Sequence, residues 1–161
     1  LIYPVMKNDI EIRLANLNDL DYLWTLEKDT FDPFKYHILS RRQFRYLLTK
    51  GNADILVASH DRTILGAAIL FYRKTSSLGR LYSIAVHPNS QKQSIGHLLF
   101  YNLEKTMKKK DLKGFLCEFR QDQNWLSNFY TKLGCKMIAI LPNYYPDGMS
   151  GVKMQKLFEK E

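Results

Sequence analysis

Apolar residues recur along this chain in two rhythms, one near period two and one near period 3.6, and the switches between them mark its elements. Glu11–Leu14 reads as a short strand. Leu20, Leu23, Trp24 and Glu27 then set a helical period, with Asn18 as the expected N-cap and an end near Asp29. A loop over residues 30–36 holds Pro33. Ser40 caps a second helix carrying Phe44, Leu47 and Leu48, and Gly51 closes it. Residues 55–58 and 64–73 are β-rich runs separated by the turn His60-Asp61-Arg62, and residues 76–79 turn into a third run. There Leu81, Ile84 and Val86 are strand formers, and Pro88, which has no N–H for a ladder, stops them. Ser94 is placed to cap a helix in which Ile95, Leu98, Leu99 and Leu103 recur. Residues 114–119 form a buried strand rich in aromatics. Trp125, Leu126, Phe129, Tyr130 and Leu133 set another helix, which Gly134 ends as a C′ residue. With a closing hairpin the order is β-α-α-β-β-β-α-β-α-β-β, a mixed α/β sandwich.

The unit running from the Leu81 strand through a polar loop into the helix at Ile95 is a ready anion site. First-turn N–H groups of that helix lack internal partners and face the loop. Gly96 has no Cβ, so a phosphate can approach the backbone closely.

Composition narrows the class without deciding it. The 161 residues are 45% hydrophobic and 13% aromatic, which suits one folded domain spanning 1–161. Residues 1–9 are read as disordered or left over from expression, with Met6 the candidate natural start. The longest apolar run, residues 64–72, is far short of the ~20 residues of a membrane span. No signal peptide is visible, and Cys117 and Cys135 read as reduced core residues, so a cytoplasmic location is expected. The formal net charge is +8, from 24 Lys and Arg against 16 Asp and Glu, and this raises a nucleic-acid partner. Lys108-Lys109-Lys110 ends a helix, however, where cations suit the negative end of the dipole.

Val86-His87-Pro88 followed by Gln91-Lys92-Gln93-Ser94-Ile95-Gly96 resembles the acetyl-CoA signature of the GNAT N-acetyltransferases. Gln91 and Gly96 fill its first and last places, and Ser94 stands where the family has glycine. The segment over residues 116–135, with Tyr130-Thr131-Lys132-Leu133-Gly134, resembles the family's second signature. Tyr144-Tyr145, Asp147-Gly148 and Met154-Gln155-Lys156-Leu157 resemble the closing hairpin of its ribosomal-protein N-terminal acetyltransferases (RimI-like). Ser150-Gly151 replaces their usual acidic residue and alanine.

The resemblance implies the α/β GNAT fold: a mixed, mostly antiparallel central sheet with splayed central strands, flanked by helices. It implies acetyl-CoA as co-substrate and no metal. The cofactor would lie along the backbone of Ile84, Ala85 and Val86, with its pyrophosphate over Gln91, Lys92, Gln93, Ser94, Ile95, Gly96 and His97. Gln123 or its neighbour Asn124 would fill the place of a CoA-contacting asparagine. Tyr130 is the implied general acid; on periodicity alone it is a core aromatic. Glu118, twelve residues earlier, is the candidate base, because burial would raise its pKa; the alternative is an ion pair with Arg120. Phe31, Tyr82, Tyr144 and Tyr145 are candidates for the acceptor groove. The implied reaction is direct acetyl transfer to a primary amine, foremost a peptide or protein N-terminus. A small-molecule amine, aminoacyl-tRNA, or a non-catalytic acyl-CoA-binding domain are the alternatives.

Overall fold

The structure is a computed structural model, and it describes residues 9–91 and 94–160. Seven strands and four α-helices follow in the expected order: β1 (Glu11–Leu14), α1 (Leu20–Thr30), α2 (Arg41–Thr49), β2 (Ala53–His60), β3 (Thr63–Phe71), β4 (Leu78–Val86), α3 (Ile95–Lys109), β5 (Gly114–Arg120), α4 (Asn124–Lys132), β6 (Lys136–Leu141) and β7 (Gly151–Leu157). The strands form one sheet in the order β1-β2-β3-β4-β5-β7-β6, antiparallel throughout except for β4 beside β5. The readings for residues 1–8 lie outside the described residues. Asp9 is docked, with its carbonyl 3.2 Å from His60 Nδ1.

The sheet is covered on both faces at β2 and β3, which therefore read as nearly continuous buried apolar runs. One core joins Leu20, Leu23 and Leu26 of α1 and Phe44 of α2 to Val57, Ile69 and Ala85. The other joins the Ile95–Leu99–Leu103 stripe of α3 and Tyr130 of α4 to Leu70, Leu81, Phe115 and Cys117. Trp125 was expected on the core face of its helix but is exposed, because α4 starts one residue before it at the sheet's open end.

Local signals explain the element ends. Ser40 and Gln43 close a capping box on α2. Gly134 (φ 92°) ends α4 as expected: its N–H reaches Thr131 O, and the Cys135 N–H reaches Tyr130 O, both at 3.0 Å. Asn18 is not the cap of α1. Asp19 holds that position without a side-chain cap bond, and Asn16 caps the 3₁₀ turn, Leu17–Asp19, that feeds the helix: its side chain accepts the Asn18 N–H and its own N–H donates to Asp19. Asp19 also binds Arg13 at 2.8 Å, which ties this turn to β1.

The feature that creates the site is a fork. β4 and β5 pair only from Leu78↔Gly114 to Leu81↔Cys117. Beyond that, β4 continues with β3 as far as Val86, and β5 continues with β7 as far as Arg120. A bulge causes the divergence. Adjacent Ile69 and Leu70 on β3 face Ser83 and Leu81, which leaves Tyr82 as the extra residue. The bulge also shifts the side-chain alternation by one. Leu81, Ile84 and Val86 therefore pack toward α3, while Tyr82 and Ala85 pack toward α1.

Candidate functional site

Two cavities meet in the fork. One, of about 240 Å³, is walled by Glu27 of α1, Tyr36 and His37 of the following loop, Arg80 and Tyr82 of β4, Glu118 of β5, and Tyr144 and Tyr145 of the β6–β7 connection. The other, of about 640 Å³, follows Val86, Ser90 and Gln91 to the first turn of α3 and the start of α4. Phe31, Tyr36, Ile84, Leu126 and Tyr130 line both, so the cavities are continuous at these side chains.

The larger cavity has the chemistry of a phosphate-bearing ligand at one end. Ser94 carries a left-handed backbone (φ 60°, ψ 19°), and its hydroxyl makes no cap bond. Its carbonyl accepts the first helical bond from the Leu98 N–H at 3.1 Å. This corrects the expected side-chain cap and gives the reason: the turn needs αL here, which is why glycine suits the place and serine is strained in it. The first-turn N–H groups of α3 stay open to the cavity. A Cβ on Gly96 would meet nothing within 4 Å, so a cradle is left free beside them. Gln91 Nε2 donates to Val86 O at 3.2 Å and so braces the loop. Ser94, Ile95 and the exposed His97 all line this cavity. Lys92 and Gln93, also expected here, lie outside the described residues.

Ala85, Gln123 and Asn124, also expected along the cofactor, take different places. Ala85 is buried in the α1-side core because the bulge turns it there, and its carbonyl lies against Gly66 of β3, whereas the Val86 carbonyl faces the other way and accepts from Gln91. Gln123 lines the cavity and accepts from Trp125 Nε1 at 2.9 Å, whereas Asn124 opens α4 exposed and lines neither cavity. Thr30 also lines this cavity, although its Oγ1 is sealed from solvent and has no hydrogen-bond partner among the described residues.

Tyr130 sits at the junction. It is 6% exposed, stacked on Phe119 with centroids 5.7 Å apart and set edge-on to Phe129. Burial, and then the neighbouring Cys117, holds its hydroxyl well above the ordinary phenol range, so it is protonated across the working pH range. Cys117 and Cys135 lie behind it, both buried. Their contact and burial push the Cys117 thiol up, which leaves it a poor nucleophile.

Glu118 does not pair with Arg120. Alternation puts the two on one face of β5, but their partners differ: Arg80 Nε donates to Glu118 Oε2 at 3.3 Å, while Arg120 is taken up by other groups. Arg80 Nη2 also donates to the Tyr144 hydroxyl at 3.1 Å. Arg120 is 1% exposed and is engaged elsewhere. It binds Asp147 (2.7 and 2.9 Å), Asp122 (3.1 and 3.2 Å) and Lys35 O (2.8 Å), and lies over the rings of Tyr36 and Tyr145. It thereby fastens the α1–α2 loop and the β6–β7 connection to the end of β5.

Sequence reasoning did not assign Arg80, Tyr36, Thr30 or Glu27 to the site. Glu27 carried a usable signal: it is a carboxylate on the apolar stripe of α1, where an acid is costly unless it serves a site. Among the described residues no group of His, Cys, Asp and Glu could hold a metal, and no helix is long and apolar enough to cross a membrane.

A forked α/β sheet with one cavity at a helix N-terminus and another lined by carboxylates and tyrosines defines a group-transfer protein that joins two ligands at the fork. Residues 22–158 match the acetyltransferase (GNAT) domain family, and the chain belongs to that family. A candidate ribosomal protein bS18-alanine N-acetyltransferase of Bacillus subtilis (strain 168) is 27% identical over 148 residues, 88% of this chain and 91% of that protein. The ribosomal-protein-S18-alanine N-acetyltransferase of Escherichia coli has the same fold, with a TM-score of 0.83 at 21% identity over 94% of this chain and 96% of that one. So does Arabidopsis thaliana NAA60, solved with a bisubstrate analogue, with a TM-score of 0.81 at 15% identity over 94% and 99%.

Proposed function

We propose that the protein moves the acetyl group of acetyl-CoA directly to the α-amine of a peptide or protein N-terminus. The observation that carries the reading is the continuity of the two cavities at Ile84, Leu126 and Tyr130. A donor held in the larger cavity and an amine in the smaller one would meet there. The B. subtilis relative is named for this acceptor class, and so is the E. coli protein of the same fold.

Acetyl-CoA supplies the activated acyl group. Ile84 and Val86 line its arm, and the unpaired β4 edge past Leu81 offers backbone N–H groups to the thioester oxygen as charge builds there. The α3 N-terminus, with Gly96, Gln91 and His97, takes the pyrophosphate. Gln123 bonds the arm. On the acceptor side Glu118, held by Arg80, takes the proton of the amine, directly or through water. Tyr130, kept protonated by burial, gives its proton to the departing sulfur. Phe31, Tyr82, Tyr144 and Tyr145 wall the peptide's first residues.

The test is acetylation of a panel of short peptides, with mass spectrometry locating the acetyl group. Transfer to the α-amine and not to lysine side chains supports the reading. Transfer only to polyamines, other small amines or aminoacyl-tRNA overturns the acceptor class, and CoA binding without turnover on any amine overturns the enzyme.

A further inference from the structure

We infer that Glu27 is the seat of the acceptor's positively charged amine, separate from the proton-accepting role given to Glu118. The inference rests on the N-terminal acceptor reading and deepens it.

Glu27 lies on the last turns of α1, 5% exposed, and lines the acceptor cavity. One oxygen, Oε1, accepts the Leu39 N–H at 3.1 Å. That is its only hydrogen bond among the described residues, and it makes no ion pair with any of them. Oε2 is not sealed, because Thr30 Oγ1 is the one enclosed, unpaired side-chain atom among the described residues. Oε2 is therefore accessible, on a residue that lines the cavity. Burial penalises the charged form of this carboxyl, and only the Leu39 N–H offsets it. A buried carboxylate with half of its acceptor capacity unused calls for a cation.

The cavity's own arginines do not serve. Arg80 is engaged with Glu118 and with the Tyr144 hydroxyl, and Arg120 with Asp122 and Asp147. The acceptor amine enters as an ammonium and must lose its water shell in a cavity of about 240 Å³. Glu27 compensates that loss on one wall, and Glu118 on the opposite wall is left to take the proton. Glu27 also ties Leu39 to α1, so a purely structural role must be separated from binding. Glu27→Gln does this: the amide oxygen still accepts the Leu39 N–H at the same length, and only the charge is lost.

The experiment uses calorimetric binding of two probes to the full chain with CoA present. The probes are a short peptide with a free N-terminal alanine and the same peptide with its α-amine acetylated. Wild type should bind the free-amine form about tenfold more tightly or better, as expected for a charge-assisted contact. E27Q should keep the wild-type Tm and CoA affinity and bind the two forms alike. Glu27→Asp keeps the charge but retracts from Leu39; it should lose stability and keep the preference. An E27Q protein that still prefers the free amine tenfold overturns the inference and leaves the acceptor reading intact. A wild type that binds neither peptide overturns the acceptor reading, and this inference with it.

Discussion

Replacing Arg120 with methionine tests how the acceptor site is held open. The guanidinium is 1% exposed and makes five hydrogen bonds: two to Asp147, two to Asp122 and one to Lys35 O. Methionine fills much of the volume and supplies none of them. Removing one side of a buried charge pair costs about 3–5 kcal/mol, because the partner charges are left uncompensated. Here Asp122 and Asp147 are 41% and 33% exposed and can rehydrate, so the lower end applies, about 3 kcal/mol. For a domain of this length that is a drop in Tm of roughly 6–12 °C. Urea denaturation with a two-state fit measures it. The functional arm is separate. Tyr36 and Tyr145 sit over Arg120 at 5.4 and 5.2 Å, so the peptide KM should rise while CoA affinity stays at the wild-type value. A loss below about 1 kcal/mol, or CoA affinity falling in step with peptide KM, would refute the view of Arg120 as a clamp on the acceptor side alone.

Two further predictions follow from the same geometry. Gly96→Ala should raise helix stability, by up to about 1 kcal/mol, because alanine suits a helix and its Cβ has open space. The same methyl occupies the phosphate cradle, so CoA Kd measured by calorimetry should rise about tenfold or more, and an unchanged Kd would move the phosphate site elsewhere. On acidification, Asp147 is held at a pKa of about 2 by its bonds to Arg120, below the ordinary carboxylate value, and Asp19 is lowered by Arg13. Their stabilisation is complete above the unfolded carboxylate pKa and is lost as pH falls through the folded values, so the urea midpoint should fall between about pH 4 and 2. Asp147→Asn should flatten that slope. Glu27 works in the opposite sense, since its raised pKa adds stability as it becomes protonated.

Much of this architecture was legible in the residues, and the gaps have physical causes. The helical stripes of α1, α3 and α4 and the apolar runs of β2 and β3 state their elements directly, because local periodicity follows burial. The fork is written less openly. Leu81, Ile84 and Val86 were read simply as strand formers, yet steps of three and then two cannot share a face of a regular strand without a bulge near Tyr82. Caps were legible where side-chain bonds made them, as at Ser40, and misread where backbone conformation did, as at Ser94. Asn16 competes with Asn18 for the same turn, and Asp19 decides in favour of Asn16 by bonding both Asn16 N and Arg13. The pairings of the site were not legible. Arg80 with Glu118 and Tyr144, and Arg120 with Asp147, join residues far apart in sequence, and no local pattern encodes them. For the same reason Arg120 looked like the partner of Glu118, since residues two apart share a face of a strand; the distant Arg80 and Asp147 take those places instead.

The most direct test of the central claim is acetyl-CoA turnover, read as free thiol, on N-terminal peptides with wild type and Tyr130→Phe. Phenylalanine keeps the ring that packs on Phe119, so Tm should stay near the wild-type value while the hydroxyl is lost. The account expects peptide-dependent turnover in wild type and a fall in kcat of about tenfold or more in the variant, with CoA affinity unchanged. Equal kcat in the two proteins would contradict it and return Tyr130 to the role of a core aromatic.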